Sequence, residues 1–564
     1  MTTPPETAAY DPVETEVFYN RLLSITDEVM TSLIRSSFST NIKERRDASV
    51  ALFDASGRLV CQALYIPMLL SGVQGGVESL IKQVDLSTLE EGDAFICNDA
   101  YLAGGTHSSD ISIITPVFHE GALVFFVGNI CHHADVGGIV PGSTDHTLPS
   151  VFAEGIRIPL IKLVRRREID RQLLHLITAN TRDPEERILD LGVQIAVNER
   201  AAGLLRSLLS TSGVGRVRKA VEDLLDYTER RMRSRIRDLP DGIFEAEAWT
   251  DDEGAPGAPR RIKLALRIAG DSLHLDFTGT DAQARGAINL PRYPLSAACF
   301  VGLNSIIDPE IPANHGMFRA VTISAPEGSL LNPRFPAAIG NREYTAQRVV
   351  RAIYFALSQV VPKQQALAPS ADINTGMAFH GLRNNGTAFV YVEAVAGGIG
   401  ALFHRDGMHG TQSGITNSSN TPTESLEIEF PVLVREYGLE TDSVGAGRSQ
   451  GGAGIIRDIA ALVDGVSVST RADGKLTPAP GLFAGHDGAV SRLELHQADG
   501  SIREIEMYLV DHPLRSGDAV RLITPGGGGF GSPTERDPAK VRADLDDGFI
   551  TEKFARDHYG WSGS

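Results

Sequence analysis

The residues best suited to chemistry in this 564-residue chain gather in two short stretches, Gly104-Gly105-Thr106-His107-Ser108-Ser109-Asp110 and Asn129-Ile130-Cys131-His132-His133-Ala134-Asp135. Imidazoles and carboxylates at this density, without paired thiolates, are ligands for a divalent transition metal such as Zn, Mn, Fe or Co. Incomplete coordination by protein would leave a position for water or substrate. The competing use of the same residues is structural, with histidines capping strands and turns through bonds to backbone.

These side chains can meet only if their backbones do. Residues 110–118 are rich in β-branched side chains and are followed by His119-Glu120-Gly121-Ala122 and a second strand-like run, 123–130. The pattern predicts an antiparallel hairpin. A loop with an odd number of residues, centred on Gly121, puts Asp110 directly opposite His132, with Cβ atoms about 4.5–5.5 Å apart. One ion could then sit between them, and His107 could fold back to the same point from a turn released by two glycines. An even loop favours Cys131 or His133 instead. Pro116 predicts an edge strand or a bulge.

Around the hairpin, apolar residues at helical spacing predict a long helix over 12–35 with Asp11 as its cap, and further helices over 73–83 and over 190–238, the last interrupted near Gly213. Residues 48–60 predict two strands about a turn at 54–57. Period-two alternation over 243–250, 261–268 and 272–277 predicts an antiparallel sheet, with helices over 295–307 and 345–360. The Gly-rich stretch 387–524 reads as mostly β and the tail 537–559 as helical. Helices and strands in blocks, without regular βαβ alternation, indicate an α+β multidomain chain. The expected division is an N-terminal metal-binding region over 1–240, an antiparallel sheet with helices over 241–370, and a Gly-rich β domain with a helical tail over 371–564.

Composition narrows the function. Apolar residues make up 42% and charged residues 22%, ordinary globular values. Acidic residues outnumber basic ones 71 to 53, and the net charge of −18 opposes phosphate backbones and anionic membranes. No nucleic-acid or membrane partner is expected. The N-terminal sequence lacks a basic and an apolar signal region, and four scattered cysteines form no disulfide frame. A reduced cytoplasm is the expected compartment. Thr524-Pro525-Gly526-Gly527-Gly528-Gly529 lacks the Gly-Lys-Ser/Thr ending of a phosphate loop and reads as a structural turn. Val395-Ala-Gly-Gly-Ile-Gly400 has no Rossmann context and reads as a backbone bend. The loop 403–412, with His404, Arg405, Asp406 and His409, reads as a solvated loop. No nucleophile elbow or cysteine signature supports covalent acyl chemistry.

Taken together, Glu44-Arg-Arg-Asp47-Ala-Ser49, Asn98-Asp99-Ala-Tyr101 running on to His107 and Asp110, His132-His-Ala-Asp-Val-Gly-Gly138, Glu154-Gly-Ile-Arg-Ile-Pro159, Asp276-Phe-Thr-Gly-Thr280, Asp442-Ser-Val-Gly-Ala-Gly447 and the 524–529 run resemble the hydantoinase B/oxoprolinase family nearly end to end. The resemblance implies a metal held by His107, Asp110 and His132, with Asp47 as a fourth ligand and Mn or Zn foremost. It also implies a separate hydantoinase A-like subunit, of the actin/sugar-kinase type, which binds ATP and Mg and phosphorylates the substrate. One departure stands out. Where the family usually shows Gly-Asn-Val-Glu-Thr-Ser-Gln, this chain has Gly340-Asn-Arg-Glu-Tyr-Thr-Ala-Gln347.

The expected function is that of a metal-dependent subunit of an ATP-dependent cyclic amide hydrolase of the hydantoinase, oxoprolinase or lactamase type. Such an enzyme would act on a ring carbonyl phosphorylated by its partner, within a hetero-oligomer. His133 and Asp135, next to the ligands, are the candidates for accepting a proton or orienting a ligand from behind. The alternative is a subunit of an ATP-dependent ketone carboxylase of the acetone or acetophenone type, in which the metal holds an enolate. A non-catalytic scaffold would carry no metal and tolerate loss of His107.

Overall fold

A computed structural model describes residues 11–563 apart from 64, 144, 255, 256, 372–374 and 384. Most of the N-terminal stretch read above for a signal lies outside these residues. The first helix spans Pro12–Ser36, and the Asp11 carboxylate caps it by accepting the N–H groups of Val13 and Glu14 at 2.9 and 3.1 Å. Its buried stripe of Phe18, Leu22, Ile25, Val29 and Leu33 follows the helical period.

That helix covers a seven-stranded sheet built from β1 (Ala48–Asp54), β2 (Leu59–Gln62), β3 (Ala94–Cys97), β4 (Asp110–His119), β5 (Ala122–His132), β6 (Ile161–Arg165) and β7 (Glu168–Ile169). The order is β2-β1-β5-β4-β3-β6-β7, with every neighbouring pair antiparallel. Both faces are buried, so β1 is apolar at nearly every position and shows little alternation. Ala51 and Phe53 meet the helix Pro67–Gln83, while Val50 and Leu52 meet the first helix and the helix Pro184–Ser212. The Pro67–Gln83 helix begins six residues before the expected 73.

The hairpin corrects the expected odd loop. His119 pairs with Ala122, so the turn is the two-residue Glu120-Gly121, with φ of 51° and 79°. Positive φ at both positions belongs to the tight turn that matches strand twist. A β-bulge between Val117 and Phe118 then inserts one residue on β5 and shifts the register, so that Asp110 still faces His132. Pro116 lies next to this bulge and beyond the part of β4 that pairs with β3. Its missing N–H therefore breaks no ladder there.

A second sheet, β8 (Gly242–Trp249), β9 (Arg261–Ala269), β10 (Ser272–Asp276) and β11 (Val321–Ser324), runs in the order β11-β10-β9-β8, with β10 and β11 parallel. Helices Arg292–Ile307 and Arg342–Ser358 pack with it. A single apolar cluster joins this layer to the Pro67–Gln83 helix and the adjoining face of the first sheet. Beyond residue 375, sheets of four and five strands pack face to face through Met377, Phe379, Ile459 and Val520. The tail forms helices Pro538–Asp546 and Glu552–Tyr559.

Candidate metal centre

The register of β4 and β5 brings three ligand atoms to one point. Asp110 Oδ1 lies 3.1 Å from His107 Nε2 and 3.0 Å from His132 Nδ1, and the two ring nitrogens are 3.1 Å apart. All three residues are buried, and among the described residues they form the one group whose ligand atoms lie within 4.8 Å of each other. Hydrogen bonding alone does not satisfy this triangle. If both imidazoles donate to Oδ1, their protons oppose each other, and if one accepts from the other, its lone pair faces the carboxylate. A cation satisfies all three sides. The donor set is that of the two-histidine, one-carboxylate face, which leaves other positions open.

The second carboxylate oxygen is occupied. Arg342 Nη2 donates to Asp110 Oδ2 at 2.6 Å, and the Thr106 hydroxyl donates to the same oxygen. Burial works against the Asp110 charge, but His107 and Arg342 outweigh it and hold the carboxyl well below its usual range. Burial and the Arg342 guanidinium lower the affinity of His107 for a proton, which favours the neutral, ligating form. Arg342 itself is delivered by Glu154. One Glu154 oxygen accepts the N–H groups of Ile339 and Gly340 at 2.6 and 2.7 Å, pinning the segment that opens the Arg342–Ser358 helix, and burial lifts the carboxyl to about 7. Sequence reasoning did not assign Arg342. The one signal was the departure from the family pattern over 340–347, of which residues 340–344 line the cavity.

His107 and His132 line a cavity, together with Arg45, Asp47, Glu343 and Tyr344, while Asp110 is fully buried against them. Asp47 shares this cavity, with its carboxylate 3.1 Å from Arg45 Nη2, and lies outside the group of three converging ligand atoms. Its carbonyl oxygen accepts the His132 N–H at 3.0 Å, which ties the two residues' backbones together.

His133 and Asp135 are turned elsewhere. The His133 side chain meets Gln194 Oε1 at 3.0 Å and Arg187 Nη1 at 3.4 Å, and burial with the Arg187 charge lowers it to about 4. Gln194 and Asn198 donate in turn to the carbonyls of Ile111 and Ile113, so this network fastens the Pro184–Ser212 helix to the hairpin. Asp135 binds Arg182 Nη1 at 2.7 Å and accepts the N–H of Gly137 at 3.1 Å, shaping the loop after β5.

The other motifs are structural. The four N–H groups of Gly526–Gly529 donate to the carbonyls of Ala489, Gly452, Pro369 and His486. None is left to cradle a phosphate. A Cβ at Gly398 or Gly400 would lie 1.9 Å from a backbone carbonyl oxygen, so the Val395–Gly400 bend is a site of close backbone packing. In the loop 403–412, Asp406 pairs with Arg536 at 2.9 Å and His409 Nδ1 accepts the Ala453 N–H at 2.8 Å. That loop fastens the tail. The purified chain alone is therefore expected to show no micromolar binding of Mg-ATP by calorimetry, and a tight isotherm would mean a nucleotide site elsewhere in the fold.

Known proteins match this chain along nearly its whole length. The profile of Hydantoinase B/oxoprolinase matches residues 11–533. The chain belongs to this family. The B component of a putative D-/L-hydantoinase from a Pseudomonas species is 32% identical over 98% of this chain and 95% of its own length. 5-Oxoprolinase 1 of Arabidopsis thaliana is also 32% identical, but this hydantoinase B-family chain spans only 42% of it. The crystal structure of the ATP-dependent caprolactamase from Pseudomonas jessenii superposes with a TM-score of 0.90 at 26% identity, covering 98% of this chain and 96% of that one. A nucleotide-free acetone carboxylase chain shares the fold, with a TM-score of 0.89 at 19% identity over 98% of this chain and 79% of its own. Among the described residues, no helix is long and apolar enough to cross a membrane.

Proposed function

We propose that this chain is the metal-bearing subunit of an ATP-dependent cyclic amide hydrolase, and that a hydantoinase A-like subunit phosphorylates the ring carbonyl oxygen before water opens the ring. The observation that carries this reading is the convergence of His107, Asp110 and His132 beside one cavity, in a chain whose relatives are named for hydantoin, oxoproline and caprolactam. An unactivated amide is a poor electrophile, and phosphorylation of its oxygen makes the carbonyl carbon open to attack by water. The ring nitrogen, once protonated, then leaves as the C–N bond breaks, and a second water releases phosphate from the resulting acyl phosphate. A divalent cation such as Mn, with Asp47 drawn in as a fourth ligand, would supply Lewis acidity and acidify water.

The chain's own residues would hold this arrangement. Arg342 and Thr106 occupy one oxygen of Asp110, which leaves the other to face the two imidazoles. His133 and Asp135 act by positioning, through the Pro184–Ser212 helix and the loop after β5. The cytoplasm is the proposed compartment, in keeping with four free, buried cysteines. The ketone carboxylase reading draws on the shared fold of the acetone carboxylase chain, whereas the relatives named for ring amides are closer in sequence.

Co-expression with a hydantoinase A-like subunit and assay of a panel of lactams and hydantoins, with and without bicarbonate, is the test. ATP-dependent ring opening that ignores bicarbonate and is abolished by Asp110→Ala is expected. Bicarbonate-dependent ketone consumption without ring opening would assign the chain to carboxylation instead.

A further inference from the structure

The cavity beside the triad has further polar lining. Asp145, His146, Thr470 and Asp473 supply it, and none is more than 8% exposed. Three of their oxygens, Asp145 Oδ2, Thr470 Oγ1 and Asp473 Oδ2, are buried without a hydrogen-bond partner. The other carboxylate oxygens are committed. Asp145 Oδ1 accepts the N–H and hydroxyl of Thr147 at 2.7 and 2.8 Å, and Asp473 Oδ1 accepts from Arg471 Nε. Arg471 is fully buried, bonded to Asp252 Oδ1 at 3.1 Å, with its guanidinium 4.9 Å from the centre of the Tyr344 ring. His146 Nε2 stands 4.0 Å from Asp473 Oδ2.

Two carboxylate oxygens and a hydroxyl without partners, on residues that line a cavity, call for a ligand that donates hydrogens and that small side-chain rotations would admit, because buried acceptors without donors are costly. Burial raises the Asp145 carboxyl and lifts Asp473 to about 6, as expected of carboxylates short of donors. Burial, with Arg471, keeps His146 neutral. An anion is opposed by both aspartates. A metal does not suit these residues either, since their ligand atoms do not converge as those of the triad do.

We propose that Asp145, Thr470 and Asp473 form the recognition part of the cavity lining and bind the N–H groups of the ring substrate, a cyclic ureide with two N–H groups in preference to a lactam with one. The carbonyl to be opened then faces His107, Asp110 and His132. This inference rests on the ring-hydrolase reading, which places the substrate in the same cavity. An alkylammonium carries the same donor chemistry.

The test is calorimetry on the metal-loaded full chain with hydantoin, 2-pyrrolidinone, 1,3-dimethylhydantoin and n-butylammonium. Hydantoin is expected to bind at least about tenfold more tightly than its dimethyl derivative, with 2-pyrrolidinone between them. Asp145→Asn and Thr470→Val should each remove most of that preference while metal content and dimethylhydantoin binding stay unchanged. Tighter n-butylammonium binding, lost in the same variants, would keep the acceptor site and assign it to a cation. Equal affinity for hydantoin and dimethylhydantoin, unchanged hydantoin binding in both variants, or no binding of any probe at about 10 mM would overturn the proposal. Ring opening by the two-subunit complex is a separate readout. Its absence alongside a retained N–H preference would sink the hydrolase reading and leave the acceptor site standing.

Discussion

Replacing His132 by alanine should take the metal content of the purified chain from near one ion to near zero, whereas replacing His133 should leave it unchanged. The two residues are adjacent, but successive strand residues point to opposite faces. His132 Nδ1 sits 3.0 Å from Asp110 Oδ1, while His133 reaches Gln194 and Arg187 behind the sheet. Loss of one imidazole breaks the group of three converging ligand atoms, and the two that remain, even with Asp47 drawn in, should hold an ion too weakly to retain it through purification. Asp110→Ala should have the same effect and also strand the buried Arg342 guanidinium, so its folding must be checked by circular dichroism. His133→Ala should instead cost about 1–3 kcal/mol of stability, because Gln194 and Arg187 lose a buried partner. Elemental analysis and thermal melts on both variants decide the matter. Metal lost from the His133 variant and kept by the His132 variant would reverse the assignment of the two faces.

Gly528→Ala should give little or no soluble protein, although the residue lies in a run with no part in chemistry. A Cβ at Gly528 would lie 2.0 Å from the Pro480 carbonyl oxygen, and its neighbours are as tight, with a Cβ at Gly526 only 1.7 Å from the Ser443 oxygen. The obstacles are backbone atoms from other segments, which cannot swing aside as a side chain can. Relief would require moving the layers that meet there, at or above the upper end of the about 1–3 kcal/mol typical of overpacking. Gly438→Ala is the control. It lies in the strand Val432–Leu439 with nothing within 4 Å of a Cβ, and it should express and melt like the parent chain. Normal yield and melting of the Gly528 variant would show that the layers separate more easily than their spacing implies.

Much of the local structure was legible in the residues. The Asp11 cap, the apolar stripe behind it, the Gly213 break between two helices and the alternation over 242–276 are local signals, and each element formed close to its expected place. The hairpin was legible in outline only. Its even turn pointed to Cys131 or His133 opposite Asp110, and the bulge beside Pro116 restored His132. Bulges answer to the packing of both faces of a sheet, which a single strand's pattern does not encode.

The sequence by itself determined the donor types, their placement at the open end of one hairpin and, through ordered motifs along the chain, the family. Ligand chemistry belongs to side chains, and short-range pairing follows from turn and strand propensities. Only the tertiary structure decided that Arg342, 232 residues beyond Asp110, closes one carboxylate oxygen, that His133 belongs to a helix anchor, and that Asp145 and Asp473 line the cavity beside the triad. These contacts join segments whose spacing along the chain is arbitrary, and they arise from burying layers against one another. Burial then makes each unpaired polar atom costly enough to reveal where a partner belongs.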